Sequence, residues 1–343
     1  MYIPDNVVIG DSLSVLNEFR TDNKYDKTAV LVDENTREYC LPGSAIGAGV
    51  PIIEIRSGEE NKTLDTCIHI WEKMTELKMS RKSLLINLGG GVIGDMGGFV
   101  ASTYKRGMSF VNVPTTLLAQ VDASIGGKLA VDFQGLKNHI GIFREPNLVI
   151  CDTKYLDTLP DREIRSGYAE IIKHCLIRDR EEWDRLKQEP FDPQKDWSST
   201  LEHSVGLKGG VVQEDPEEQG LRKILNFGHT LGHAIETHFL ETGHRLLHGE
   251  AIAIGMILEG YLSVKVLGLP EACLHEFTKY ITDTYGKVDL PELDIFGKYL
   301  IHDKKNAGGK VNYSLLSEIG KCVWDQQVEP SHIHEAIMYY RNC

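Results

Sequence analysis

The stretch Ser83-Leu-Leu-Ile-Asn87-Leu-Gly89-Gly-Gly-Val-Ile-Gly94-Asp95 joins an apolar run to a glycine-rich turn and then to residues with helical spacing. Gly89, Gly91 and Gly94 satisfy the G-x-G-x-x-G pattern, in which backbone N–H groups at the start of a helix hold a pyrophosphate. A glycine turn that only lets a helix pack closely on a strand explains the same residues equally well. The segment therefore predicts a strand, a turn and a helix, with dinucleotide binding as one of two explanations.

Apolar strands alternate with helical segments on both sides of this turn. The runs 28–32, 51–55, 83–87, 110–113 and 148–150 have strand character, and 64–78 and 92–104 have helical spacing. Such alternation is typical of a mostly parallel, doubly wound sheet. After Asp152 the pattern changes to helical segments at about 161–178, 198–212, 222–239, 248–267 and 270–285, with a short β-like pair at 311–316 and 321–324. We expect an α/β, Rossmann-like parallel-sheet domain at 1–155 and a mainly α-helical domain at 156–343.

Composition and charge limit the class of protein. The chain has 343 residues, of which 41% are hydrophobic and 25% charged, as is ordinary for a globular protein of two domains. Its apolar runs are shorter than the roughly 20 residues that span a bilayer, and its start lacks a secretory signal. The net charge of −13 repels nucleic acid and anionic membranes, and the seven scattered cysteines fit reduced thiols. We expect a cytoplasmic protein that binds neither nucleic acid nor membranes.

Histidines and acidic residues in the second half indicate a metal site. His229 and His233 are four residues apart, so they lie on one face of a helix, and neutral imidazole is a common ligand of divalent metals. Structural histidines are the more frequent origin of such a pair. Thr230 stands where a metalloprotease has glutamate, which disfavours peptidase chemistry. Glu170 and His248 can complete a set of a carboxylate and two imidazoles with an open position, as catalytic zinc requires.

Basic side chains in glycine-rich or turn contexts contrast with the acidic background. They are Arg106, Lys128, Lys137, Lys173, Lys208, Arg222, Lys304 and Lys305. A pocket that binds phosphate or carboxylate is one explanation. Solvated helix faces are the other, and only three-dimensional convergence separates the two.

These motifs together resemble those of the 3-dehydroquinate synthases, a family of sugar phosphate cyclases. The resemblance extends from about Val32 to Lys305. It rests on residues 89–95, 114–128, Lys137-Asn138, 169–173, 222–236 and His248-Gly-Glu250, in this order. Leu129, Asp132, Leu136 and Lys105 depart from the family pattern, which usually has Thr at the first position, commonly has Asn at the second and often has Gly at the third.

The resemblance implies NAD and Zn²⁺ (or Co²⁺) as cofactors and assigns a role to each site residue. Glu170, His229 and His248 would bind the metal, while His233 would face the substrate; spacing alone pairs His229 with His233. The cofactor positions are Asp33, Glu59, Lys62, Gly90, Gly91, Asp95, Thr115, Thr116, Asp122, Lys128, Lys137, Tyr155, Thr158, Leu159 and Glu163. The catalytic and substrate positions are Lys128, Asn138, Lys173, Lys208, Glu218, Arg222, Asn226, His233, Lys304 (or Lys305) and Arg106. Arg106 would reach the neighbouring subunit of a homodimer.

The implied reaction converts 3-deoxy-D-arabino-heptulosonate 7-phosphate to 3-dehydroquinate and phosphate in the shikimate pathway of aromatic amino acid biosynthesis. It comprises transient NAD-dependent oxidation at C5, phosphate elimination, re-reduction and intramolecular aldol closure. Another sugar phosphate cyclase is the nearest alternative. A metal-dependent polyol dehydrogenase would release free NADH instead, and a non-catalytic NAD- or metal-binding module gives no reason for the basic residues.

Overall fold

The computed structural model of the protein describes residues 2–44, 46–134, 136–290 and 311–343, and the chain divides into two compact units. The first unit contains Met1–Pro160 and Asp196–Gln213, and the second contains Asp161–Lys195 and Glu214–Cys343. The division lies close to the expected border at 155/156. It differs in assigning the segment 196–213 to the first unit.

The segment 196–213 belongs to the first unit because its residues pack there. Lys208 donates a hydrogen bond to the side chain of Asp122. Gly209 lies so close to the start of the chain that an added Cβ would be 2.6 Å from the carbonyl oxygen of Tyr2. Helical spacing predicts the helix in this segment, but it contains no information about which unit the helix packs on.

The first unit is built on a parallel sheet, as predicted. Its strands are β1 (Val7–Ile9), β2 (Thr28–Asp33), β3 (Ile52–Ile55), β4 (Leu84–Gly89), β5 (Ser109–Pro114), β6 (Lys128–Phe133), β7 (Leu136–Phe143) and β8 (Leu148–Cys151). The main sheet has the order β1-β8-β5-β4-β2-β3, and its neighbouring strands are parallel. The chain reverses its direction of travel across the sheet between β2 and β4. Open parallel sheets bind ligands outside the carboxyl ends of the strands at such a reversal.

Helices cover both faces of this sheet. They are α1 (Ser12–Asp22), α2 (Glu34–Tyr39), α3 (Leu41–Ser44), α4 (Leu64–Glu76) and α5 (Gly91–Thr103), with 3-10 turns at Glu59–Asn61, Tyr104–Arg106 and Thr153–Thr158 and a π-helical turn at Ala119–Ala123. In β2, Leu31 packs with Ile70 of α4 and Phe99 of α5, while Val32 packs with Leu16 of α1 on the other face. Strands buried on both faces are mainly apolar, and the buried amides of Asn87 in β4 and Asn112 in β5 are hydrogen-bonded to each other at 2.9 Å.

Strands β6 and β7 form an antiparallel hairpin that the sequence analysis did not predict. Leu129 and Val131 are buried and alternate with more exposed neighbours, so the strand period of two is present in the sequence. The hairpin places Lys128 opposite Phe143. The basic residues in this region occur in glycine-rich or turn contexts, a pattern that predicts turns and ligand contacts instead of a strand.

The second unit is mainly helical, as predicted. Its helices are α6 (Asp161–Arg178), α7 (Arg180–Leu186), α9 (His229–Glu241), α10 (His248–Leu267), α11 (Glu271–Tyr285) and α12 (Pro330–Asn342); α8 (Ser198–Glu214) lies almost entirely in the first unit. Strands β9 (Tyr313–Glu318) and β10 (Lys321–Gln326) form the expected β pair, and the structure shows that the pair is antiparallel. Helix α10 is the central element, and α6, α9, α11, α12 and β9 pack against it. Among the described helices, none is both long enough and apolar enough to cross a membrane.

The expected helix at 222–239 is wrong in its first third. A 3-10 turn at Leu221–Asn226 comes first, and α9 begins only at His229. The break occurs at Gly228, whose φ of +79° suits glycine because a Cβ strains this backbone conformation. The break matters because it puts His229 at the first position of its helix.

Candidate functional site

The glycine turn lies between β4 and α5. Gly90 immediately precedes the first turn of α5 and has no side chain that could cap it. A Cβ on Gly94 would meet only ordinary contacts, the nearest at 3.8 Å, whereas a Cβ on Gly97 would lie 2.0 Å from Asn87 Oδ1. Close packing of helix on strand thus explains Gly97. The backbone N–H groups that follow Gly90 fit a pyrophosphate, because they have no partners within the helix.

Other predicted cofactor residues lie at the carboxyl ends of strands. Asp33 ends β2, and its Oδ1 accepts a hydrogen bond from Thr36 N at 2.8 Å, so it also caps α2. Thr115 follows β5 and donates its N–H to the carbonyl of Gly89 at 3.0 Å. The hydroxyl of Thr116 accepts from the first residue of the π-helical turn. Asp33 and the glycine turn therefore mark the ends of β2 and β4, between which the strand order reverses.

Lys62 joins three predicted site residues in the first unit. Its Nζ donates to Asp95 Oδ2 and Asn138 Oδ1, each at 2.6 Å, and lies 4.0 Å from Glu59 Oε1. The side chain is only 4% exposed. Burial lowers the pKa of Lys62, but the carboxylates of Asp95 and Glu59 outweigh burial and raise it on balance, so the ammonium is charged at neutral pH.

The buried Lys208 and the half-buried Asp122 form a second ion pair in the first unit. Lys208 Nζ donates both to Asp122 Oδ1 and to the carbonyl oxygen of Asp122, each at 2.6 Å. Family resemblance assigns Lys208 to the substrate and Asp122 to the cofactor. The structure brings these two residues into direct contact.

The remaining predicted residues of the first unit lie at its surface or in its core. Tyr155 is buried in the core, and its hydroxyl lies 2.8 Å from that of Ser12. Arg106 and Lys128 are exposed, and Arg106 has a φ of +69° in its turn. Lys137, Thr158 and Leu159 are half-buried or exposed. For Tyr155 the structure shows a packing role that spacing did not predict.

Positions that depart from the family pattern have local partners. Leu129 is buried, and a Cβ on Gly98 would lie 2.5 Å from it, so its apolar side chain fills the space between β6 and α5. Asp132 Oδ1 accepts from Asn138 N at 2.7 Å and its own N–H donates to the carbonyl of Lys62 at 2.9 Å. Asp132 thus holds Asn138 through its carboxylate and the backbone of Lys62 through its own N–H.

Glu170, His229 and His248 converge in the second unit. Glu170, from α6, is completely buried. Its Oε1 lies 3.6 Å from His229 Nε2 and 3.8 Å from His248 Nε2. Its Oε2 accepts a hydrogen bond from the buried ammonium of Lys173. One carboxylate oxygen therefore faces two imidazole nitrogens, while the other is held by a lysine.

His233 is also close to this group. Its ring centroid lies 5.2 Å from that of His229 and 5.7 Å from that of His248. One nitrogen from each of these three rings lies within 4.8 Å of the others. The geometry thus permits the pairing of His229 with His233 that spacing predicts, as well as the set with Glu170.

The outer nitrogens of two rings support a cation site. His229 Nδ1 lies 3.2 Å from the carbonyl oxygen of Phe227, and His248 Nδ1 lies 3.3 Å from Glu236 Oε2. Both acceptors favour the tautomer with the proton on Nδ1 and the lone pair on Nε2, the arrangement typical of metal-binding histidines. Burial lowers the pKa of His248, but hydrogen bonds to Glu170 and Glu236 outweigh it and raise it to about 10. The two carboxylates therefore favour positive charge at this ring, and a divalent cation would take the place of the proton on Nε2.

Glu236, which supports His248 through this contact, was not predicted as a site residue. It follows His229 and His233 at helical spacing, since positions i, i+4 and i+7 share one face. That spacing is the signal that could have identified it.

The start of α10 is held against α6, and this positions His248. Gly249 N donates to Ser166 Oγ at 3.0 Å, and an added Cβ on Gly249 would lie 1.9 Å from the carbonyl oxygen of Ser166. Glu250 accepts two hydrogen bonds from Arg162 at 2.7 Å and caps its own helix by accepting from Leu247 N at 2.8 Å. The His-Gly-Glu motif therefore contains a proposed ligand, a close-approach glycine and an anchoring carboxylate.

Gly249→Ala is expected to lower the free energy of unfolding by about 1–3 kcal/mol, because the new methyl group would force α6 and α10 apart. It should also weaken the binding of Co²⁺, since His248 moves with the start of α10. Urea unfolding and a Co²⁺ titration measure the two effects. Gly210→Ala, in open space on α8, is the control and should be neutral or slightly stabilising. A Gly249→Ala protein as stable as the control would contradict the close approach.

Other predicted site residues also belong to the second unit. Arg222 is buried, and its Nη1 donates to the carbonyl of Pro216 at 2.5 Å. Asn226 Nδ2 donates to Glu218 Oε1 at 2.8 Å. Burial raises the pKa of Glu163 in the first turn of α6, although nearby arginines oppose the shift. The predicted Lys304 and Lys305 lie outside the described residues.

Two family models match consecutive parts of the chain. The model of the 3-dehydroquinate synthase N-terminal domain matches residues 52–166, and that of the C-terminal domain matches residues 167–306. A 3-dehydroquinate synthase of Parabacteroides distasonis is 41% identical over 342 residues, which cover 98% of this chain and 97% of the relative.

Solved structures of two other cyclases are similar along the whole chain. A 2-deoxy-scyllo-inosose synthase, in complex with carbaglucose-6-phosphate, NAD⁺ and Co²⁺, has a TM-score of 0.86 at 27% identity, covering 97% of this chain and 96% of the other. A 2-epi-5-epi-valiolone synthase of Streptomyces hygroscopicus subsp. jinggangensis, with NAD⁺ and Zn²⁺ bound, has a TM-score of 0.87 at 27% identity, covering 100% and 98%.

Proposed function

This chain belongs to the 3-dehydroquinate synthase family, and we propose that it converts 3-deoxy-D-arabino-heptulosonate 7-phosphate to 3-dehydroquinate and phosphate with NAD and Zn²⁺ or Co²⁺ as cofactors. The observation that carries the proposal is the completely buried Glu170, whose Oε1 lies within 4 Å of two imidazole Nε2 atoms. A carboxylate and two imidazoles are the protein ligands of many catalytic zinc sites.

Glu170, His229 and His248 would hold the divalent cation. When bound, the cation polarises the oxygen at C5 of the substrate. Lys173 keeps Oε2 of Glu170 occupied and so directs Oε1 toward the two imidazoles. The acceptors at both Nδ1 atoms fix the ring orientations. These residues therefore form a rigid donor set before a ligand arrives.

The glycine turn and the residues around Lys62 would hold NAD. NAD held there would supply reversible hydride transfer at C5 of the substrate, chemistry that would make the neighbouring C–H acidic while phosphate is lost. The N–H groups after Gly90 would bind the pyrophosphate, and Asp33 would bind a ribose at the end of β2. Lys62 fixes the orientation of Asp95 and Asn138 through its two hydrogen bonds.

Basic residues would bind the two charged ends of the substrate. We assign Lys208 and Arg222 to the carboxylate, and Lys128, Asn138, Asn226 and His233 to the phosphate and hydroxyl groups. Charged donors give the strongest hydrogen bonds to such anions, and they orient the substrate so that the reactive conformer is held.

Inorganic phosphate and NADH absorbance, measured together during turnover of the heptulosonate phosphate, test the proposed reaction. Release of phosphate without accumulation of NADH is the expected result. Sustained accumulation of NADH would instead indicate a polyol dehydrogenase. Glucose 6-phosphate, which lacks a carboxylate, separates this reaction from those of other sugar phosphate cyclases, because it should release no phosphate.

Arg222→Ala is expected to raise KM for the heptulosonate phosphate about 30-fold or more, the equivalent of the 2–5 kcal/mol lost when one partner of a buried charge pair is removed. NAD affinity should stay unchanged. Steady-state kinetics and calorimetric titration with NAD measure these effects. Lys223→Ala is the control, since Lys223 forms a surface ion pair with Asp325. Equal losses of substrate and NAD binding would contradict the assignment of Arg222 to the carboxylate.

We also propose a homodimer in which Arg106 contacts the partner subunit. Arg106 is exposed in a turn where Lys105, Arg106 and Gly107 all have positive φ. Sedimentation equilibrium should give twice the mass of the chain, and a single-chain mass at micromolar concentration would exclude the dimer.

A further inference from the structure

Helix α9 begins without a cap of its own. Gly228 occupies the N-cap position with a φ of +79° and has no side chain. The first N–H groups of a helix have no partners within it, and a Ser, Thr, Asn or Asp at the N-cap usually accepts one of them. The helix that starts with His229 therefore needs an acceptor from elsewhere.

Glu259 of α10 supplies that acceptor. Its Oε2 accepts from Gly228 N at 2.7 Å, and its Oε1 accepts from Leu231 N at 3.0 Å. In an ordinary capping box, two side chains of the same helix accept from the N-cap and N3 amides. Here one carboxylate from a neighbouring helix does both.

Glycines bring the two helices close enough for this contact. A Cβ on Gly255 would lie 2.0 Å from the carbonyl oxygen of Gly228, and a Cβ on Gly232 would lie 2.9 Å from Ile252 Cδ1. Glu259 follows Gly255 by four residues, so it projects from the same face of α10 one turn further on. The spacing places its carboxylate at the start of α9.

Glu259 is unusual for its position. It is completely buried in a helix whose other buried residues are apolar or small. Removing a carboxylate from water costs several kcal/mol, and a well-packed apolar residue often gives equal or greater stability. Two amide donors and the positive end of the α9 dipole offset that cost. The arrangement thus specifies the position of the α9 start more than it stabilises the fold.

We propose that Glu259 is a positioning residue for the cation centre, acting through the first turn of α9 on His229. The inference rests on the proposed function of Glu170, His229 and His248. His229 directly follows Gly228, and its Nδ1 lies next to the carbonyl of Phe227, so the backbone that Glu259 holds sets the direction of Nε2 toward Glu170.

Binding of Co²⁺ to the metal-free full-length protein, followed by the visible d–d absorption of the ion, tests this role. Glu259→Ala is expected to weaken Co²⁺ binding about 10- to 100-fold, as removal of an outer partner of a metal ligand typically does, and to change the absorption spectrum. Glu259→Gln keeps one oxygen acceptor for the two amide donors, so its Co²⁺ affinity should fall less than that of Glu259→Ala. NAD affinity should not change in either variant.

Ser263→Ala is the matched control. Ser263 is buried on the same helix, where its hydroxyl accepts a hydrogen bond from Leu316 N of β9 at 2.9 Å and donates one to the main-chain carbonyl of Glu259 at 2.7 Å. The substitution therefore removes two buried hydrogen bonds but leaves the Glu259 carboxylate in place. It should lower the melting temperature and leave the Co²⁺ spectrum and affinity unchanged.

One outcome would overturn the inference. Either variant of Glu259 with unaltered Co²⁺ affinity and spectrum would leave Glu259 with a purely structural role; Glu259→Gln decides the question if Glu259→Ala does not fold. Failure of the proposed function would give a different result. Glu170→Gln and His229→Ala would then bind Co²⁺ as tightly as the unmodified protein.

Discussion

Glu170→Gln is expected to abolish turnover and to weaken Co²⁺ or Zn²⁺ binding by more than about 100-fold. Loss of a residue that only hydrogen-bonds a metal ligand typically weakens metal binding about 10- to 100-fold, and Glu170 is a proposed ligand itself. The carboxylate is completely buried and faces two imidazole nitrogens. A neutral amide oxygen is a much weaker ligand, and the change also leaves the buried ammonium of Lys173 without its carboxylate partner. A titration of the metal-free protein and phosphate release measure the two losses.

Asp161→Asn is the control for this substitution, since Asp161 is an exposed carboxylate at the start of the same helix. It should keep metal affinity and turnover. Glu170→Gln protein that turns over at the rate of the control would contradict the assignment of Glu170 as a ligand.

Lys62→Met is expected to lower the free energy of unfolding by about 3 kcal/mol, the lower end of the range for breaking a buried ion pair, because the Asp95 carboxylate, 17% exposed, loses its charge partner. Asp95 and Asn138 both lose a hydrogen bond of 2.6 Å from Lys62. NAD binding should weaken strongly as well, since these residues carry much of the proposed cofactor site. Urea unfolding and calorimetric titration with NAD measure the two effects.

Lys73→Met is the control for Lys62→Met. Lys73 forms an ion pair with Glu76 at the surface of α4, where such pairs contribute about 0–1 kcal/mol. Unchanged stability of Lys62→Met would contradict the buried ion pair. A large loss of stability with full NAD affinity would contradict the proposed role of Lys62 in cofactor binding.

The parallel sheet could be predicted from the sequence because its strands are buried on both faces. Every residue of β4 is buried, and its sequence is apolar except for Asn87 and ends at the glycine turn. Strand β1 has only three residues, which is too short for a pattern. The hairpin of β6 and β7 has the alternation of buried and exposed residues that is typical of a strand, but its basic residues favour turns and ligand contacts.

The candidate site could be predicted only in part. Helical spacing relates His229 to His233, because both lie on α9. It contains no information about Glu170 and His248, which come from α6 and from the start of α10 and meet His229 only through packing. The ligand set of Glu170, His229 and His248 is implied only by the resemblance to the family. The break at Gly228 was missed because helical periodicity continues across it, and a single left-handed residue leaves no trace in the pattern of apolar positions.

A crystal structure of the zinc-loaded protein, with the ion located by anomalous scattering at the zinc edge, tests the cation centre most directly. We expect one ion roughly 2.0–2.2 Å from a carboxylate oxygen of Glu170 and from Nε2 of both His229 and His248, with His233 outside the coordination sphere. An ion bound by His229, His233 and His248 without Glu170, or no ion beside these residues, would contradict this assignment.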